Sequence, residues 1–104
     1  MIRGTTPTFK LTISDETVDL TQATHVYATF KQGNNNSVTK MDEQLAIYPN
    51  YVEVYLDQED TLKFKDGVVQ VQMNWVYANN SRASTDISTV KIGANLIPKV
   101  LPEE

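Results

Sequence analysis

A chain of 104 residues and 11.7 kDa is long enough for one domain with one core, not two. With 40% apolar and 21% charged residues its composition is that of a globular protein, against disorder and membrane spanning, and with no cysteine and one histidine it excludes thiol nucleophiles, disulfide frameworks, zinc ribbons and two-histidine metal sites. A net charge of −4 repels phosphate, and Lys10, Lys31, Lys40, Lys63, Lys65, Lys91, Lys99, Arg3 and Arg82 are scattered, so nucleic acid is not an expected partner.

Thr, Val and Ile make up 29 of the 104 residues, a mix that favours pleated, half-buried strands over helices. Phe9, Leu11 and Ile13 alternate with Thr8, Lys10 and Thr12, the period of a strand with one face on a core. Asp15-Glu16 breaks that pattern, and Val18 with Leu20 adds a short apolar pair. From 24 to 31, Val26, Ala28 and Phe30 alternate with His25, Tyr27, Thr29 and Lys31, which predicts a second strand. Gly33 and three asparagines tolerate the positive φ of a tight hairpin, so residues 37–41 are expected to return as its antiparallel partner. A brief run at 45–48 precedes a hairpin at Pro49-Asn50. Tyr51 to Leu56 then alternates with Val52, Val54 and Leu56 on one side.

Between 57 and 64 the alternation stops and acidic residues cluster. Asp57 is placed to cap a short helical turn, with Glu59 and Asp60 near its positive end. Val69, Val71, Met73, Trp75 and Tyr77 then define the longest strand, which commits Trp75 to the core. After the polar loop 79–82, residues 85–92 read as one last strand in which Ile87 is out of phase with Val90 and Ile92, so a β-bulge near Ser88 is expected. About seven short strands and one helical turn make an all-β fold, an antiparallel immunoglobulin-like β-sandwich spanning 1–93, with a small, partly open barrel as the runner-up. Residues 94–104 contain Pro98 and Pro102 and read as an extended C-terminal tail.

Chemistry is sparse. His25 lies on the outward parity of its strand, and no serine sits in a G-x-S-x-G elbow. The carboxylates Asp15-Glu16, Asp42-Glu43 and Asp57-Glu59-Asp60 fall at turns, where capping and solubility explain them, and the last group lacks the ligand alternation and glycine of a calcium loop. Asn35 and Asn79 open glycosylation-type triplets, read as turn residues. No phosphate-binding or dinucleotide loop is present, so neither enzyme activity nor a cofactor is expected. Two surfaces remain. Tyr27 and Tyr55 fall on outward parities and could contact a glycan or another subunit. Leu96, Ile97, Val100 and Leu101 are four apolar residues on the tail, which either folds back on its own sandwich or docks on another subunit, the second being favoured.

The opening Met1-Ile2-Arg3-Gly4-Thr5-Thr6-Pro7-Thr8 resembles the start of a family of small proteins encoded by phages and prophages of Gram-positive bacteria. Leu56-Asp57-Gln58-Glu59-Asp60-Thr61-Leu62-Lys63-Phe64 resembles that family's leucine-x-glutamine-acidic-acidic-threonine-leucine segment, and Ser84, Asp86 and Ile87 sit where it has a similar polar-to-strand step. The resemblance runs from Met1 to Ile92 and carries no catalytic or ligand residues. It implies a structural or assembly role among tail and baseplate proteins, with other tail or baseplate proteins or a second copy of the chain as partner. The absence of an apolar leader at 1–10 fits a chain made in the host cytoplasm and incorporated into the virion. A carbohydrate-binding module that aids adsorption to the host is the alternative, and a glycan hydrolase the third reading.

Overall fold

The computed structural model describes residues 1–97 and 99–101. Eight strands form two antiparallel sheets packed as a sandwich. The smaller sheet has the order β1 (Thr8–Thr12), β5 (Tyr51–Tyr55), β4 (Leu45–Ile47). The larger has the order β3 (Asn36–Met41), β2 (His25–Gln32), β6 (Gly67–Val76), with β7 (Arg82–Ser84) and β8 (Ser88–Ile92) both beside β6. One α-helical turn, α1 (Gln58–Leu62), joins β5 to β6, and 3-10 turns occupy Leu20–Gln22 and Asp42–Gln44.

The alternations set which face each strand buries. Val26, Ala28 and Phe30 of β2 and Val69, Val71, Met73 and Trp75 of β6 point inward, opposite Val52 and Val54 of β5, and all are buried. Phe9 of β1 meets Phe30 with ring centroids 5.3 Å apart, an aromatic contact from one sheet to the other. The β2–β3 hairpin turns through Gly33 at φ +63°, the left-handed conformation that asparagine and glycine accept most readily. Two discrete sheets with a shared interior make this a sandwich rather than a barrel.

Three expectations need correction. Leu20 is buried on a 3-10 turn, and Asp42–Gln44 forms a second such turn, so α1 is not the single helical element. The last strand is two strands. Ser84 pairs with Asn74 and Ser88 with Val71, so the three residues 85–87 face only Gln72 and Met73. That one extra residue is the expected bulge, set just before Ser88, but it breaks the strand instead of bending it. Thr85 bridges the gap, donating its N–H to the Met73 carbonyl at 3.0 Å and accepting from the Met73 N–H at Oγ1 at 3.1 Å. Ile87 is thereby turned out to solvent. Tyr77 lies one residue beyond β6, half-buried, and its hydroxyl accepts from the Trp75 indole N–H at 3.1 Å.

Because Trp75 is buried among both sheets, Trp75→Ala is expected to lower stability by about 3–5 kcal/mol. Urea unfolding followed by far-ultraviolet circular dichroism measures this. Wild-type indole emission should be blue-shifted and resist acrylamide quenching.

Candidate functional site

The sequence-predicted surfaces converge in part on the corner built by α1. A five-residue helix leaves most of its end groups without intrahelical partners. At its start, Asp57 Oδ1 accepts from the Asp60 N–H at 2.8 Å and Asp60 Oδ2 accepts from the Asp57 N–H at 3.0 Å, a reciprocal cap. Lys40 of β3 reaches the same Asp60 oxygen at 2.9 Å. Burial pushes the Asp60 carboxyl up, but the Lys40 ammonium and the Asp57 amide outweigh it and hold it below its ordinary value. At the other end the Arg3 guanidinium donates to the carbonyls of Phe64 and Leu62. Thr61 Oγ1 donates to the Thr5 carbonyl at 2.8 Å. Gly4, at φ +81°, lets the chain pass so close that a Cβ would sit 3.4 Å from Leu62 Cδ2.

Residues 1–5 thus form a strap between α1 and the end of β8. Gly93 donates to the Met1 carbonyl at 2.7 Å, Arg3 donates to the Gly93 carbonyl at 3.0 Å, and Asn95 Nδ2 donates to the Arg3 carbonyl at 2.8 Å. Asn95 is thus tied to the strap. Beyond it, the described tail residues form neither helix nor strand. Gln58 holds Leu101 with both halves of its amide, accepting from the Leu101 N–H at 2.7 Å and donating to its carbonyl at 3.1 Å. Val100 and Leu101 line a hollow of about 480 Å³ together with Tyr55, Thr6 and Gln58. The side chains remain largely in solvent all the same: Leu96 is 101% exposed, and Ile97, Val100 and Leu101 are each exposed by 45% or more. Pro98 and Pro102 lie outside the described residues.

Tyr27 is elsewhere. It belongs to β2 and Tyr55 to β5, so the two occupy the outer faces of different sheets and form no common platform. Tyr27 lines a shallow hollow of about 360 Å³ with Thr29, Thr39, Asn74, Val76 and Arg82. Arg82 Nη2 donates to Asn74 Oδ1 at 2.9 Å, which fixes both side chains. Nearby, His25 Nδ1 lies 2.8 Å from Asp42 Oδ2, and Asp42 Oδ1 accepts from the Val26 N–H at 3.0 Å. These contacts hold the Asp42 carboxyl below its ordinary value and keep this non-glycine residue at φ +47°. Among the described residues the ring's hydrogen-bond partner is Asp42, with no hydroxyl placed as a nucleophile. Among the described residues, no group of three or more acidic or histidine side chains is gathered that could hold a metal.

Comparison with protein-family models, with curated proteins and with solved structures returned no match.

Sequence reasoning found the Asp57 cap and missed Lys40–Asp60, Arg3 and Gln58, whose partners are far along the chain. Since the Asp60 carboxyl is depressed in the folded state, its contribution is present above its ordinary value near 3.8 and is lost as pH falls through the lower folded value. Lys40→Met is therefore expected to cost about 2 kcal/mol at pH 7. The deficit should shrink as the pH falls, because a protonated Asp60 no longer needs its partner. Chemical denaturation of both proteins across pH 3–7 measures the difference.

Proposed function

We propose that this chain is a non-enzymatic assembly module of a phage or prophage tail or baseplate, acting through protein–protein contacts of its C-terminal tail. The observation that carries this reading is the exposure of Leu96, Ile97, Val100 and Leu101 on a segment held at its root by Asn95 and farther on by Gln58. Large apolar side chains in water on an anchored, extended segment are unsatisfied in the isolated chain, and burial of some of them in an interface is what such a segment can gain. The resemblance of residues 1–8 and 56–64 to small phage proteins supplies the setting: synthesis in the host cytoplasm and incorporation into the virion. Tail or baseplate proteins are then its partners.

A second reading rests on the Tyr27 hollow. An aromatic ring beside an oriented arginine and asparagine is a surface on which a sugar can stack and hydrogen-bond, which favours carbohydrate binding during adsorption.

Truncation after Asn95 leaves the strap intact, so the melting temperature is expected to change by less than about 3 °C, within what a surface change produces. In phage particles prepared from cells carrying only the truncated gene, the protein should be missing by immunoblot. Equal incorporation of the full-length and truncated chains would sink the tail-contact reading. Binding of cell-wall polysaccharide that is lost in Tyr27→Ala would favour the second one.

A further inference from the structure

We propose that the groove between β1 and the β7–β8 edge receives residues 96–103 of a second copy of this chain as an added strand. The proposal deepens the assembly reading and rests on it. Two adjoining hollows, of about 230 and 500 Å³, share Thr12, Thr85 and Ser88 and form one groove along the open side of the sandwich. Its floor is Val71, Met73 and Trp75 of β6, and Leu11 and Val90 stand half-buried at its sides.

The β1 edge has a defined parity. Ile13 N–H bonds to the Asn50 carbonyl at 2.8 Å and Leu56 N–H to the Pro7 carbonyl at 3.0 Å, so the odd-numbered residues of this segment turn their main-chain groups toward β5. Those of Thr8, Lys10 and Thr12 consequently point away from the sheet, the template for a further strand.

The parity of the tail sequence fits that template. Pro98 and Pro102 share one parity, so an extended tail can present the N–H groups of Ile97, Lys99, Leu101 and Glu103 to a single edge without a gap. In an antiparallel pairing they share the outer face with Thr8, Lys10 and Thr12, whose side chains are exposed, and Glu103 and Leu101 can stand opposite two of these. Residues opposite each other share a face. The remaining set, Leu96, Pro98, Val100 and Pro102, is then directed at the apolar floor. Every inward position is apolar and every proline lies where no N–H is needed.

Charge selects the register. With Glu103 opposite Lys10, Leu101 falls opposite Thr12 and Lys99 arrives beside Asp15 and Glu16.

Direction selects a second copy. The lining residues place the start of β1 beside the end of β8, so a strand antiparallel to β1 must enter from the Asp15 and Asp86 end. The chain's own tail leaves β8 at the opposite end. Residues 93–95, a reach of about 10 Å, are held by Met1 and Arg3 and cannot cover the roughly 16 Å from Lys10 to Asp15.

Since the chain has no cysteine, a cross-link can test the register directly. Mixed under oxidising conditions, Lys10→Cys and Glu103→Cys proteins should form an intermolecular disulfide, because directly opposed residues have Cα atoms about 5.5 Å apart, within disulfide range. Ile97→Cys, six positions away and about 20 Å along the strand, should not cross-link to Lys10→Cys. Adding Val100→Asp to the Glu103→Cys chain should lower the yield at least tenfold, and this side chain is exposed in the folded monomer, so the fold is preserved. A yield no greater than the Ile97→Cys control, or one indifferent to Val100→Asp, overturns the groove proposal. If that occurs while truncation after Asn95 still bars the chain from particles, the groove fails and the assembly reading stands. A register-specific cross-link with normal uptake of the truncated chain supports the groove and removes the tail or baseplate role.

Discussion

The reciprocal hydrogen bonds of Asp57 and Asp60, closed by Lys40, are the constraint on which the corner of this protein depends. Helix nucleation is unfavourable, and a turn of five residues has too few internal bonds to offset it. It persists here because side chains supply what the helix lacks: aspartates at the start, Arg3 at the end and Thr61 toward the strap. The buried Leu56 and Phe64 on either side tie the turn to the core. The strap and the tail attach to this one turn, and the end of β8 is joined to it through the strap.

Residues 1–8 and 56–64 touch through Arg3, Gly4 and Thr5 against Leu62, Phe64 and Thr61. Arginine is required to reach two carbonyls, glycine to adopt φ +81° beside Leu62, and threonine to bond the strap, whatever the module does. Function has to be sought on surfaces these residues do not use, which are the tail, the Tyr27 hollow and the open edge of β1.

The β-rich fold was legible because its strongest signals are local. Alternation over ten residues of β6 and eight of β2 fixes which face is buried, and with it the place of Trp75. The cap at Asp57 was legible for the same reason, since its partner is three residues away. What was illegible is long in sequence. Lys40 and Asp60, Gln58 and Leu101, and Gln32 with the main chain of Lys65 at 2.8 Å are polar pairs that periodicity cannot assign. Tyr27 and Tyr55 share an outward parity, but parity does not say to which sheet a strand belongs, and the sheet assignment is what separates them. The bulge at 85–87 could be sensed from the phase of Ile87, yet its rupture of the strand depends on Thr85 taking up Met73's main-chain bonds.

The energetic character of the tail follows from its anchoring. Ordering a backbone residue costs about 1–2 kcal/mol, so a wholly free segment of this length would lose much of its binding energy on docking. Here Asn95 fixes the root against Arg3, which removes part of that cost before any partner arrives. The bond to Gln58 acts in the opposite sense, because it must open before Leu101 can leave the α1 corner. A single tail contact is consequently weak, and the net charge of −4 on every copy weakens it further at low ionic strength. Such a contact becomes firm where copies are already held side by side and effective concentration replaces affinity. Pairing of the tail with the β1 edge of a neighbour would join copies head to tail, closing into a ring or continuing as a filament according to the rotation between them. The features that make the tail a poor binder in dilute solution suit contacts between chains that are already held together.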